Sequence, residues 1–326
     1  MNSLNEIAQA LKEVKRAMIC GHVMPDGDCL GSSLALAMAL KHLGKEVTVV
    51  GRDPVPEIYR FLPGSDGYYS GPPPTEGYDT LIVVDCPVKI RMGRGYRDLP
   101  DSGIRVIAID HHATREPFGD YRYTDPKVAA VGEIIYRLLG LLQIEITVDM
   151  AICLYTAIVT DTGSFQYENT TKETHLMAAE LMKIGAPLLH VNTLLYEEKS
   201  KETQLLLKEA LNTLAFSDCG QVAWMKITRD MLRDTQAKDE HTEGLVNYAR
   251  SIRGVEVGIL FHQLEDGKIK IGFRSKNWVD VNKLAQVFNG GGHIRASGCK
   301  IEGEMDRVVS DVVKEALKIT ATPAPN

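Results

Sequence analysis

Gly21-His22-Val23-Met24-Pro25-Asp26-Gly27-Asp28 leaves the apolar run Ala17 to Cys20 and enters an apolar helical pattern from Leu30 to Leu43. A short apolar run, a turn and a helical periodicity in that order predict strand, loop and helix, the opening of an α/β unit. One histidine and two carboxylates at that turn are ligands of the oxygen and imidazole kind that divalent ions take. The stretch is therefore read as one wall of a two-metal phosphoesterase site, and the rest of the chain must supply the others.

Further runs end in acids. Leu81-Ile82-Val83-Val84-Asp85 and Val106-Ile107-Ala108-Ile109-Asp110-His111-His112 read as buried strands, and Ala151 to Gly163, carrying Asp161 at the end of its apolar stretch, is grouped with them. Val47 to Val50 is another strand. Helical spacing covers Leu4 to Val14, Val131 to Leu142, and Glu173 to Ile184, the last capped by Thr170 or Thr171 and stopped by Gly185-Ala186-Pro187. Continuous apolar runs separated by helices predict a largely parallel, five-stranded sheet covered on both faces. In such sheets ligands bind beyond the carboxyl ends of the strands, so acids distant in sequence converge. Singly, an aspartate after a buried strand reads as a helix cap and a histidine as a core residue. Four such groups after successive strands read as a site.

At 326 residues two domains are expected. The reading is an α/β domain over 1–187, a polar-faced helical linker over 188–214, and a smaller α+β domain over 215–326. Strands are expected at Gln221 to Ile227, Val255 to His262 and Lys268 to Arg274, with an Asp266-Gly267 hairpin turn between the last two. Helices are expected at Glu243 to Ile252, Val281 to Val287 and Met305 to Ile319, and Thr320 to Asn326 reads as a frayed tail. The conspicuous segment is Asn289-Gly290-Gly291-Gly292-His293. Glycines let backbone N–H groups approach an anion closely, and Arg274 could clamp a phosphate with two parallel bonds. Gly290 to Gly292 taken alone also read as a flexible loop.

An apolar fraction of 44% and a charged fraction of 25% describe an ordinary globular chain. No run approaches the roughly 18 apolar residues of a membrane span, and the first residues lack the pattern of a signal peptide. The expectation is a cytoplasmic protein with no membrane partner. Six scattered cysteines without a CxxC pair read as buried, reduced thiols. A net charge of −6 argues against wrapping long duplex nucleic acid, but not against a small phosphorylated ligand held through metal ions. Mixed carboxylate and imidazole ligands suit Mn²⁺ better than Zn²⁺ or Mg²⁺. Two such ions about 3.5 to 4 Å apart can generate a hydroxide and clamp a phosphoryl group.

His22-x-x-Pro25-Asp26-x-Asp28, Asp85, Asp110-His111-His112 and Thr160-Asp161-Thr162-Gly163 resemble the four motifs of the DHH phosphoesterase superfamily. Gly290-Gly291-Gly292-His293, with Arg274-Ser275-Lys276 and Asp280-Val281-Asn282, resembles its C-terminal DHHA1 domain. Motif order and length look most like the bacterial oligoribonuclease and pAp phosphatase (nano-RNase) group. The resemblance implies that His22 and Asp26 bind one Mn²⁺, Asp28, His111 and Asp161 the other, and Asp85 bridges them. It implies that His112 acts at the scissile phosphate, with Asp110 orienting an imidazole or the loop. Arg274, Ser275, Gly291, Gly292 and His293 would bind substrate, the active site lying in a cleft between the domains. The implied partners are short RNA oligonucleotides and small nucleotides, and family habit implies a homodimer.

Three positions depart from the pattern: Arg115 where an Asn is frequent, Gln166 where an Arg is frequent, and Ala129-Ala130-Val131 in place of a serine-rich turn. Arg115 could supply the charge missing at Gln166. The implied reaction is hydrolysis of very short RNA to nucleoside 5′-monophosphates and of pAp to AMP. The alternatives are a phosphodiesterase for cyclic dinucleotides such as c-di-AMP, or for pApA, and a catalytically silent nucleotide sensor.

Overall fold

A computed structural model of the chain describes residues 1–74, 77–112 and 117–321. Arg115 lies outside them, as do 322–326 of the C-terminal tail. The chain divides into two compact units, Met1–Glu198 and Lys199–Asn326.

The first unit runs α1 (Leu4–Glu13), β1 (Arg16–Cys20), α2 (Gly27–His42), β2 (Glu46–Gly51), β3 (Tyr69–Ser70), β4 (Thr80–Val84), β5 (Arg105–Asp110), β6 (Tyr121–Thr124), α3 (Val131–Leu141), α4 (Val148–Asp161), α5 (Lys172–Ile184) and α6 (Leu188–Asn192). Among the described residues the sheet has six strands rather than five, ordered β3-β2-β1-β4-β5-β6, and every pairing is parallel. The order reverses between β1 and β4, the position where open parallel sheets bind ligands.

Alternate residues of the strands serve two cores. Ile19, Ile82 and Val84 join the helices α1 to α5 on one face. Met18, Cys20, Leu81 and Val83 meet Cys86, Met92 and Tyr96 on the other. That second face is covered by an irregular segment with single 3₁₀ turns at Lys89–Met92 and Leu99–Asp101 instead of long helices. Helix α2 is buried around most of its circumference. At Gly31 it touches α4 so closely that a Cβ would lie 2.3 Å from the Cys153 carbonyl oxygen.

Two expectations are corrected here. The stretch around Ala151 is helix α4, with Thr147 capping Met150 N–H at 3.3 Å, so Asp161 stands on a last helical turn and not at a strand end. An apolar run this long exceeds a typical strand and suits a buried helix. The stretch after Pro187 is not one helix. It breaks into α6, a π turn at Thr193–Glu197 and α7 (Lys201–Asn212), whose cap Ser200 accepts from Thr203 N–H.

The second unit continues with β7 (Ala215–Phe216), β8 (Val222–Ile227), α8 (Arg229–Thr235), α9 (Val246–Ser251), β9 (Val257–Gln263), β10 (Lys268–Ser275), α10 (Val281–Val287), β11 (Gly291–Gly292), β12 (Ala296–Glu302) and α11 (Met305–Thr320). Its sheet runs β11-β12-β10-β9-β8-β7, antiparallel except for β8 with β9. Phe261, Ile271 and Phe273 pack against α10 and α11, while Met225, Ile227 and Leu260 pack with residues of α7 and α9. Among the described residues no helix is long and apolar enough to cross a membrane.

Candidate active site

His22 follows β1, Asp85 follows β4, and Asp110-His111-His112 closes β5, so three neighbouring strand ends deliver their polar residues to one place. The His22 Nδ1 lies 2.9 Å from the Val23 carbonyl, which as acceptor sets the proton on that nitrogen and leaves Nε2 basic. Nε2 faces Asp26 Oδ2 and Asp85 Oδ2, each at 3.5 Å. The His111 Nε2 faces Asp161 Oδ2 at 3.3 Å, Asp85 Oδ1 at 3.7 Å and Asp28 Oδ2 at 4.0 Å. The two oxygens of Asp85 are thus divided between the two histidines.

The aspartates are held by backbone. Asp26 is the N-cap of α2, its Oδ1 accepting from Cys29 N–H at 3.0 Å, while Oδ2 is the oxygen turned to His22. The cap and ligand readings of this residue describe its two oxygens. Asp28 accepts from Ser32 Oγ at 2.8 Å and from the first N–H groups of α3, Val131 at 2.6 Å and Gly132 at 2.9 Å. Helix α3 starts at Ala130 without a side-chain cap, so Asp28 caps it from α2. Asp110 Oδ1 accepts from the N–H groups of His111 and His112 and from His112 Nδ1 at 2.8 Å. Asp85 sits at φ +55, a left-handed conformation that aspartate tolerates better than most residues.

The donor set fits divalent ions. Two imidazoles and four carboxylates lie together, and Asp85 Oδ1 and Asp110 Oδ2 are buried without a hydrogen-bond partner among the described residues. Groups close enough to share an ion include Asp28, Asp85 and His111, and His22, Cys29 and Asp85. Burial, reinforced by the Asp85 and Asp161 carboxylates, pushes the Asp28 carboxyl well above its usual range. Asp161 is raised by burial against the pull of His111, with Asp26 and Asp85 adding to the rise. Burial works against the positive charge on His22, but Asp26 and Asp85 outweigh it and hold the ring at about 10. His111 is raised by Asp161, Asp28 and Asp85, again against burial.

These shifts fix a pH dependence. A histidine that binds its proton more tightly folded than unfolded stabilises the fold fully below its ordinary 6.5 and loses that contribution as pH climbs through about 10. The raised carboxyls of Asp28 and Asp161 act in the same direction, because the fold favours their protonated forms. Chelator-treated protein should therefore melt at progressively lower temperature from pH 6.5 to 10. Added Mn²⁺ should flatten the curve by neutralising the same carboxylates. A flat profile in chelator would contradict the charge arrangement.

In the second unit Arg274 and Ser275 end β10, whose neighbour β12 pairs with β11, so the glycine run comes alongside them: Arg274 opposite Ala296, and Gly292 opposite Ser297. Arg274 Nη1 donates to the Phe273 carbonyl at 3.0 Å. Ser275 is buried with its hydroxyl unpartnered among the described residues, on the face of the strand opposite Arg274. The glycine segment is a strand and tight turn, closed by His293 N–H to the Ala296 carbonyl at 2.7 Å. A Cβ at Gly290 would lie 2.2 Å from the Gly298 carbonyl oxygen, so close approach requires that glycine.

Several contributors were not read from the sequence. Cys29 Sγ lies among the ligand-type groups, Ser32 and the start of α3 hold Asp28, and Asn169 Nδ2 donates to the Ala129 and Asp161 carbonyls at 3.2 and 3.0 Å, linking the end of α4 to the segment before α3. Only an uncapped Ala130 signalled that α3 needed an acceptor from elsewhere. A cavity of about 810 Å³ near Lys89, Arg97 and Phe118 contains none of the ligand residues, and its Lys89 is paired with Asp101.

A parallel sheet carrying this cluster at its switch point defines a hydrolase of the phosphoesterase class. The chain belongs to the DHH family: residues 16–158 match its N-terminal domain, and residues 220–320 match the DHHA1 domain. It is 34% identical over 316 residues to the bifunctional oligoribonuclease and PAP phosphatase NrnA of Thermus thermophilus, covering 95% of this chain and 93% of that one. The protein of the same name from Bacillus subtilis is 31% identical, with 89% and 91% covered. An exopolyphosphatase-related protein from Bacteroides fragilis superposes with a TM-score of 0.88 at 26% identity, covering 97% of this chain and 95% of that one. RecJ of Thermus thermophilus in complex with Mn²⁺ shares the fold at 13% identity and a TM-score of 0.58, covering 99% of this chain and 55% of that one.

Proposed function

We propose that the chain hydrolyses very short RNA to nucleoside 5′-monophosphates and pAp to AMP, using two Mn²⁺ ions. The observation that carries the reading is the Asp85 carboxylate with one oxygen toward His22 and the other toward His111. Near-complete coverage of relatives named as oligoribonuclease and PAP phosphatase supports the substrate class. His22 and Asp26 would hold one ion, Asp28, His111 and Asp161 the other, with Asp85 between them. Bound there, such ions supply Lewis-acid charge to a phosphoryl group and make water more acidic.

The chain's own residues do the rest. Asp28 and Asp26 are anchored through helix N-termini, so their oxygens are preorganised rather than mobile. His112 is oriented by Asp110 on Nδ1, and Asp85 Oδ1 lies 3.3 Å from the same nitrogen. Held on its Nδ1 side in this way, the ring would turn its Nε2 edge to the phosphate or the departing oxygen. In the second unit Arg274 and His293 would grip the terminal phosphate, with backbone N–H groups of Gly291 and Gly292 as further donors. Ser275, buried on the other face of β10, would shape this segment from beneath.

Purified protein with Mn²⁺ should turn over a dinucleotide, a 5-mer RNA and pAp. Chromatography should show 5′-mononucleotides from the RNAs and AMP from pAp. Turnover confined to c-di-AMP or pyrophosphate would contradict the substrate assignment while leaving the metal reading intact.

A further inference from the structure

Cys29 sits on the first turn of α2, 3% exposed, with its sulfur against the His22 end of the centre. A ring nitrogen of His22, Cys29 Sγ and a carboxylate oxygen of Asp85 all lie within 4.8 Å of one another. Among the described residues it is the one cysteine that joins such a group. Gly21 makes the room, since a Cβ there would come within 2.1 Å of the sulfur. Asp85 adds a second observation: it is 2% exposed and turns its Oδ2 to His22 Nε2 at 3.5 Å.

Oxygen and imidazole ligands suit Mn²⁺, whereas a thiolate with an imidazole and a carboxylate suits a tetrahedral, thiophilic ion. Bonds of about 2.0 to 2.3 Å would draw these donors from within 4.8 Å to roughly 3.5 Å apart, a closure of about 1.3 Å at most.

We propose that the His22 half of the centre is also a site for thiophilic divalent ions, Zn²⁺ or Cd²⁺, which Cys29 takes together with His22 and Asp85 in competition with the activating ion. The inference rests on the metal-site reading above. On ligation a sulfur–metal bond forms and the thiol proton passes to solvent; nothing is oxidised or reduced. The consequence is selectivity of a negative kind: ions that prefer sulfur are held where the reaction needs an oxygen-preferring one.

The test is a Cd²⁺ titration of the full chain after chelator treatment, read by the ultraviolet thiolate-to-cadmium charge-transfer band. Wild type and Cys219→Ser, which removes an exposed thiol elsewhere, should show a saturable band. Cys29→Ser and Cys29→Ala should lose it. Their Cd²⁺ affinity should fall about tenfold or more relative to their Mn²⁺ affinity measured by electron paramagnetic resonance. A band undiminished in Cys29→Ser, or equal losses for both ions, overturns the proposal. Should the variants melt lower than wild type, the cadmium X-ray absorption spectrum of wild type decides. One sulfur neighbour supports the proposal, and an all-oxygen-and-nitrogen shell overturns it. Mn²⁺ binding with no cysteine-dependent Cd²⁺ band sinks this inference alone. Failure of wild type to bind either ion sinks the metal reading with it.

Discussion

Asp85→Asn is expected to lower kcat/KM for a dinucleotide by about a thousandfold or more, on the order of 4 kcal/mol of lost transition-state stabilisation, without unfolding the protein. Asparagine is the informative replacement because Asp85 occupies a left-handed backbone conformation at φ +55, which asparagine also tolerates. It keeps the shape and one oxygen but removes the charge that both histidines face. Asp85 is also one cause of the raised Asp28 carboxyl. Because Asp85 also helps hold His22 and His111 protonated, chelator-treated Asp85→Asn should lose less stability than wild type between pH 6.5 and 10. Asp85→Ala, lacking a side chain suited to the left-handed region, should cost about 1 kcal/mol of stability besides. Activity of Asp85→Asn within tenfold of wild type would remove Asp85 from the position assigned to it.

Glu256→Ala should produce the largest loss of stability in the second unit, on the order of 4 kcal/mol. Glu256 is 1% exposed, and its carboxylate accepts from the backbone N–H groups of Asn277 at 2.9 Å, Trp278 at 2.9 Å and Val279 at 3.0 Å, and from Asn277 Nδ2 at 3.1 Å. Its own carbonyl takes Lys276 N–H at 3.0 Å. The turn so fixed joins Arg274-Ser275 at the end of β10 to Asp280, the cap of α10. Alanine would leave those donors without an acceptor and a cavity where the carboxylate stood, whereas Glu256→Gln keeps the volume and part of the bonding and should cost roughly half as much. Thermal melts with hydrogen exchange over 274–280 check both. A loss below about 1 kcal/mol for Glu256→Ala would show that the turn holds itself.

What could be read from the sequence was whatever a strand end dictates locally. His22, Asp85 and Asp110-His111-His112 each follow a short, wholly apolar run, and parallel topology alone then brings them together. Asp161 reaches the same centre from the last turn of α4, because its apolar run carries no mark distinguishing a buried helix from a strand except length. The edge strands Tyr69–Ser70 and Tyr121–Thr124 escaped because one is two residues long and the other has no apolar alternation. Strand β12 was hidden by Gly298, where a Cβ would lie 2.8 Å from the Ile271 carbonyl oxygen of β10. The support of Asp28 by α3 and of the Arg274 segment by Glu256 depends on tertiary contact between residues 103 and 23 apart, respectively, so no local pattern carries it.

Division of the cluster into two ion sites by the Asp85 carboxylate is measured directly by the number of Mn²⁺ ions bound per chain, by equilibrium dialysis with electron paramagnetic resonance. Two ions per wild-type chain are expected, with the spectrum of a magnetically coupled pair, and the coupling should be lost in Asp85→Asn. A single uncoupled ion at saturation, unchanged by Asp85→Asn, would contradict it.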